Sequence, residues 1–129
     1  MIIESKLLKV IEDEIMTVCR DEVKEGNSKE LLGLEIQYFY DGEFADIGFK
    51  IVIFDNAEDE GYSIYKSLVL DYQEIKVSLL DIIDREEKAN KYDTIRTIAK
   101  EIKEHMERIQ WNQMVNVAEE FYIDLKNYD

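Results

Sequence analysis

The sequence predicts an α+β fold: an N-terminal helix, an antiparallel β-meander of two to three strands, two helices, and a closing segment that is a helix or a β-hairpin. Three observations carry this. Apolar residues recur at three- and four-residue steps near the start and again past the middle of the chain. Between those stretches the period drops to two on either side of Asp41-Gly42. Proline is absent from the 129 residues, and no low-complexity tract or internal repeat interrupts them, so residues 1–129 read as a single domain. At this length a domain buries roughly two-thirds of the surface that its unfolded chain exposes.

The first helix is expected over Ile2 to Glu25, with Ile3, Leu7, Ile11, Ile15 and Val18 as its apolar stripe. Gly26-Asn27-Ser28 follows as its stop, because glycine tolerates the left-handed conformation of a helix C-terminus. Leu34, Ile36, Tyr38 and Tyr40 then alternate with Glu35, Gln37 and Phe39, and Ile47, Phe49, Ile51 and Ile53 alternate with Gly48, Lys50, Val52 and Phe54. Asp41-Gly42 suits a type I′ turn, which needs positive φ at both central positions and twists with its flanking strands. Residues 55 to 61, Asp55-Asn-Ala-Glu58-Asp59-Glu60-Gly61, read as an acidic loop leading to a third strand over Tyr62 to Leu70.

Asp71 and Glu74 resemble a capping box at the start of the second helix, whose stripe is Ile75, Leu79, Ile82 and Ile83 and which runs to about Glu87. After a break near Ala89-Asn90, the stripe Ile95, Ile98, Ala99, Ile102, Met106 and Ile109 marks the third. The last segment, from Trp111, carries two periods at once. Met114, Ala118, Phe121, Leu125 and Tyr128 suit a helix, whereas Met114 to Val117 and Phe121 to Leu125 are β-rich runs flanking Ala118-Glu119-Glu120.

Catalytic signatures are missing. His105 is the only histidine and Cys19 the only cysteine, so a zinc set or a Cys–His pair at motif spacing does not form, and Cys19 reads as a buried structural thiol. The Asp55 to Gly61 run fails the EF-hand register, with alanine at the third position and glycine at the seventh. Five scattered glycines make neither GxGxxG nor a phosphate loop. The chain is expected to catalyse nothing and to need no metal or cofactor.

Charge is more informative. Thirty acids against 16 bases give a net charge of −14, yet 46% hydrophobic residues supply a core, so this is not an acidic disordered tail. From Asp41 to Gly61 seven acids, Asp41, Glu43, Asp46, Asp55, Glu58, Asp59 and Glu60, face one base, Lys50, for a net −6. These seven are the candidate partner-binding residues. Direct binding of nucleic acid or of an anionic membrane is disfavoured, since both require clustered Lys and Arg. A basic protein partner is favoured instead, because complementary charge speeds association and excludes wrong partners. Tyr38, Phe39, Tyr40, Tyr62, Tyr65 and Trp111 are the aromatic anchors available to such a surface, in competition with the core. The opening Met1-Ile-Ile-Glu-Ser-Lys has neither the pattern of a secretion signal nor that of a membrane anchor, which predicts a cytoplasmic protein.

Trp111 and the closing Phe121-Tyr-Ile-Asp-Leu-Lys-Asn-Tyr128-Asp129 resemble the C-terminal end of the YezG-type immunity proteins, bacterial antitoxins that neutralise the toxic domain of a cognate secreted toxin. Glu119-Glu120 stands where that family tends to place a turn glycine. The resemblance implies a small acidic immunity protein that covers the active site or substrate surface of a basic toxin domain, for instance a nuclease. The alternative is an interaction or assembly module, a homodimer included, that docks through its amphipathic helices.

Overall fold

A computed structural model of the chain describes residues 2–24, 29–40, 45–55, 60–67, 73–85 and 91–128. The order is α1 (Ser5–Lys24), β1 (Lys29–Tyr40), β2 (Ala45–Asp55), β3 (Glu60–Ser67), α2 (Gln73–Arg85), α3 (Lys91–Glu107), a 3₁₀ turn at Trp111–Gln113 and β4 (Val117–Asn127). The strands form one sheet in the order β3-β2-β1-β4. This is an α+β fold in which the described helices pack on one sheet face.

Alternation fixes the sheet. Ile47, Phe49, Ile51 and Ile53 are all buried, as are Leu34, Ile36 and Tyr38, and they point to the helices. β1 and β2 pair antiparallel from Lys29 with Asp55 to Tyr40 with Ala45, and β2 pairs antiparallel with β3 from Asp55 with Glu60 to Gly48 with Ser67. Both strands reach into the expected acidic loop, so Asp55 and Glu60 are paired strand residues. The stops at Gly26-Asn27-Ser28 and Ala89-Asn90, the Asp41-Gly42 turn, the Asp71 cap, and residues 68–70 of the expected third strand all lie outside the described residues.

Two expectations need correction. The sheet is mixed rather than an antiparallel meander, because β4 pairs with β1 in parallel. The closing segment is neither a helix nor a hairpin: it is one edge strand, reached by a crossover through α2 and α3. Phe121, Ile123 and Leu125 pack against the core while Tyr122, Asp124 and Lys126 are exposed, which is the period of two that competed with the helical one. The free side of β1 supplied the ladder that decides between them. Glu119-Glu120 makes no turn but falls in an irregularity, where Val117 to Tyr122 of β4 spans the same ladder as Leu31 to Gly33 of β1.

The helical face of α1 is rotated from its expected stripe. Leu8, Ile11, Ile15, Met16 and Cys19 are buried, while Leu7 and Val18 sit at the margin. The predicted stripes of α2 and α3 are buried as read, except that Ile109 is only partly covered. α3 lies over β1 and β4, and α1 packs on β1, β2 and both other helices. Trp111 closes the end of α3. Its ring is buried, lies 5.1 Å from that of Phe121 on β4, and donates from Nε1 to the Met106 carbonyl at 2.8 Å.

Two polar contacts tie distant segments. The Glu101 carboxylate accepts from the Ile2 and Ile3 amides at 2.6 and 3.2 Å. Glu12, buried on the inner face of α1, lies 2.9 Å from His105 Nε2 on α3 and accepts from Lys9 at 2.7 Å. Burial pushes the Glu12 carboxyl up, but the bonds from Lys9 and His105 outweigh it and hold it below the usual range. Cys19 is wholly buried, which pushes its thiol up to about 12.

Candidate partner-binding face

On the sheet face away from the helices, side chains of different strands meet, buried or half-buried along β1 and β2 and exposed on β3 and β4. Pairing places Gly33, Glu35, Gln37 and Phe39 of β1 there, beside Asp46, Gly48, Lys50 and Val52 of β2, Ser63 and Tyr65 of β3, and Tyr122, Asp124 and Lys126 of β4. Three tyrosines are its most exposed large groups: Tyr65 at 57%, Tyr128 at 50% and Tyr122 at 37%.

Two of these rings lie flat on the backbone of the neighbouring strand. A methyl group built on Gly48 would come within 2.7 Å of Tyr65 Cζ, and one on Gly33 within 2.7 Å of Tyr122 Cε2. No side chain larger than hydrogen leaves room for these rings, so each glycine is a seat and each tyrosine its cover. Tyr128 is held differently. Its amide donates to the Tyr38 carbonyl at 3.0 Å, its hydroxyl accepts from Gln37 Nε2 at 3.3 Å, and Lys126 Nζ stands 4.9 Å from its ring centre.

Gln37, Tyr38, Phe39, Asp46, Gly48, Tyr65 and Tyr128 surround a depression of about 500 Å³ at one end of this face. Gln37 Nε2 also donates to Glu35 Oε1 at 2.8 Å, which leaves the amide oxygen as the unused polar atom of that side chain among the described residues. Burial, and then the charges of Asp124 and Glu35, raise the Tyr122 phenol above its usual value, a sign that the local field is negative.

Of the seven acids singled out from sequence, Asp46 is the one whose side chain is placed, and it lines the depression. Asp55 and Glu60 are cross-strand neighbours at the other end of β2, about nine residues and so roughly 30 Å away. Asp41, Glu43, Glu58 and Asp59 lie outside the described residues. Among the proposed anchors, Tyr38 and Trp111 are buried, Phe39 and Tyr40 are half-buried, and Tyr65 is exposed. Gln37, Tyr122 and Tyr128 were missed by sequence reasoning. The signal for Tyr122 was Gly33, an isolated glycine beside an alternating strand, which marks a close approach by another group.

Among the described residues, no cluster of three or more His, Cys, Asp or Glu side chains could hold a metal ion, and no helix is long and apolar enough to cross a membrane. Compared with known proteins, the chain matches no family model, no curated protein and no solved structure.

Proposed function

We propose that this chain is an acidic immunity-type inhibitor that binds a basic cognate toxin domain through the open face of its sheet and thereby covers the domain's active site or substrate surface. The observation that carries the reading is the face itself, where three exposed tyrosines and the carboxylate of Asp46 are arranged on a rigid four-stranded scaffold with a net charge of −14. Tyrosine suits such an interface because it buries a large area with few rotors to immobilise, and the charge favours a cationic partner. Asp41, Glu43, Glu58 and Asp59 are among the acids that make up that −14.

The test is capture of the C-terminal domain of a toxin encoded beside this chain's gene. Binding should weaken as salt rises and weaken further when Glu58, Asp59 and Glu60 become Lys. A partner held equally well at low and high salt would reject the charge-driven mode. Val77 and Leu80, exposed at 47% and 37% one turn apart on α2, favour a second reading in which that helix docks an apolar partner. Such docking would be nearly indifferent to salt, and a Val77→Glu variant would lose it.

A further inference from the structure

We propose that β4 is the seam of a homodimer, in which this edge strand pairs antiparallel with β4 of a second copy about a two-fold axis at Leu125. The inference goes beyond the toxin-binding reading and does not depend on it. β4 ends the sheet, bonded to β1 on one side, and no described strand pairs with its other side. Its pairing with β1 is regular from Tyr122 to Asn127, whereas residues 118–121 fall in the irregularity, so the regular stretch is the usable template. The Tyr128 amide donates to the Tyr38 carbonyl of β1. Peptide groups alternate in direction along a strand, so those of Tyr122, Asp124 and Lys126 also turn to β1, and those of Ile123 and Leu125 turn to the open side.

The charges select the register and the occupant. With the axis at Leu125, the two Leu125 residues exchange hydrogen bonds, and Asp124 of each copy faces Lys126 of the other in the closely spaced positions of the ladder. One residue earlier Asp124 would face Asp124, and one residue later Lys126 would face Lys126. An axis at Ile123 would pair Lys126 with Glu120, which lies in the irregular stretch. Neither Asp124 nor Lys126 has an ion partner among the described residues, although Lys126 Nζ stands over the Tyr128 ring. On the helix side, Ile123 and Leu125 are only half-buried, and the second copy sets Leu125 beside Leu125 with each Ile123 on a diagonal. An axis perpendicular to the sheet keeps the helices of both copies on one side and joins their open faces. A second copy brings this self-complementary order of charge by symmetry, whereas a foreign strand has to match it.

The experiment is sedimentation velocity of the whole chain from about 10 μM to about 1 mM at ~0.15 M salt, where a Debye length of about 8 Å limits repulsion between two acidic bodies. The mass should double with concentration, and hydrogen exchange at the Ile123 and Leu125 amides should slow in step. Asp124→Lys and Lys126→Asp each turn two attractive pairs into two repulsive ones, so each variant alone should dimerise about tenfold more weakly. Both side chains are exposed, so circular dichroism of the monomers should be unchanged. An equimolar mixture of the two variants restores both attractive pairs and should dimerise as the parent does. A chain that stays monomeric at about 1 mM would overturn the proposal. So would a dimer indifferent to both variants, or one that Val77→Glu abolishes, since either places the contact on another surface. Variants that weaken the dimer singly but are not rescued by mixing would overturn the register. Toxin capture by the open face is measured separately, and its failure would leave the dimer standing.

Discussion

Trp111 is the residue through which the core holds the binding face, and its replacement makes a quantitative prediction. A buried tryptophan hides about 200 Å² of surface, worth at most about 5 kcal/mol at ~25 cal/mol per Å². Its Nε1 bond to Met106 adds about 1 kcal/mol, and the Met106 carbonyl keeps the Ile109 amide at 3.3 Å when that bond is lost. Trp111→Ala should therefore cost about 3–5 kcal/mol and Trp111→Phe, which keeps a ring against Phe121, about 1–2 kcal/mol. Domains of this size are stable by about 5–15 kcal/mol, so the alanine variant should fold but marginally. Urea unfolding followed by far-UV circular dichroism, which does not depend on the lost fluorophore, should show the midpoint falling by about 2 M for alanine at a slope near 2 kcal/mol per M. The two variants should also differ at a distance, with the Tyr128 and Tyr122 resonances broadened in Trp111→Ala because β4 loses its brace on α3. An alanine variant within about 1 kcal/mol of the parent would refute the claim that this ring anchors the strand.

Thr94 is wholly buried and its hydroxyl has no hydrogen-bond partner among the described residues, so Thr94→Val should stabilise by about 1–2 kcal/mol and raise the melting temperature by about 4–7 °C in calorimetry. Glu12 has a folded pKa below its ordinary 4.5, so its contribution is fully present above that value and lost as pH falls through the folded one. Glu12→Gln should accordingly cost about 1–2 kcal/mol near neutral pH, and chemical denaturation should show the gap to the parent closing as pH falls below 4.5. Gly48→Ala forces the Tyr65 ring off its seat. Stability should change by less than ~1 kcal/mol, since alanine suits a strand better than glycine, while nuclear Overhauser contacts between Tyr65 and residue 48 should disappear.

The elements legible in the sequence were those whose period is set by one nearby neighbour. Ile47 to Ile53 alternates because a single face of β2 meets the helices, and all four apolar residues are buried. Less was legible where a distant partner decides. Glu12 looks like any charged helix residue until His105, far along the chain, is packed against it. Leu8 and Met16 replace Leu7 and Val18 in the core because the rotation of α1 depends on the strands and helices beneath it, not on its own periodicity. β4 carries both periods, and β1 resolves the choice. For the site, charge pointed to Asp46 but not to the tyrosine rings. A ring seated on glycine needs two strands in register, which no local window contains.

The position of β4 beside β1 has a kinetic consequence. β1 is synthesised early and stays an uncovered template on one side until the last strand is made and carried over the sheet by two intervening helices. So large a separation in sequence slows folding, because the entropy of closing the long loop must be lost before the contact forms. Tyr122 and Tyr128 arrive with that final strand, so a half-folded chain lacks one wall of the depression. Recognition is thereby postponed until the molecule is whole, and a premature intermediate presents its ladder to other chains instead of its tyrosines to a partner.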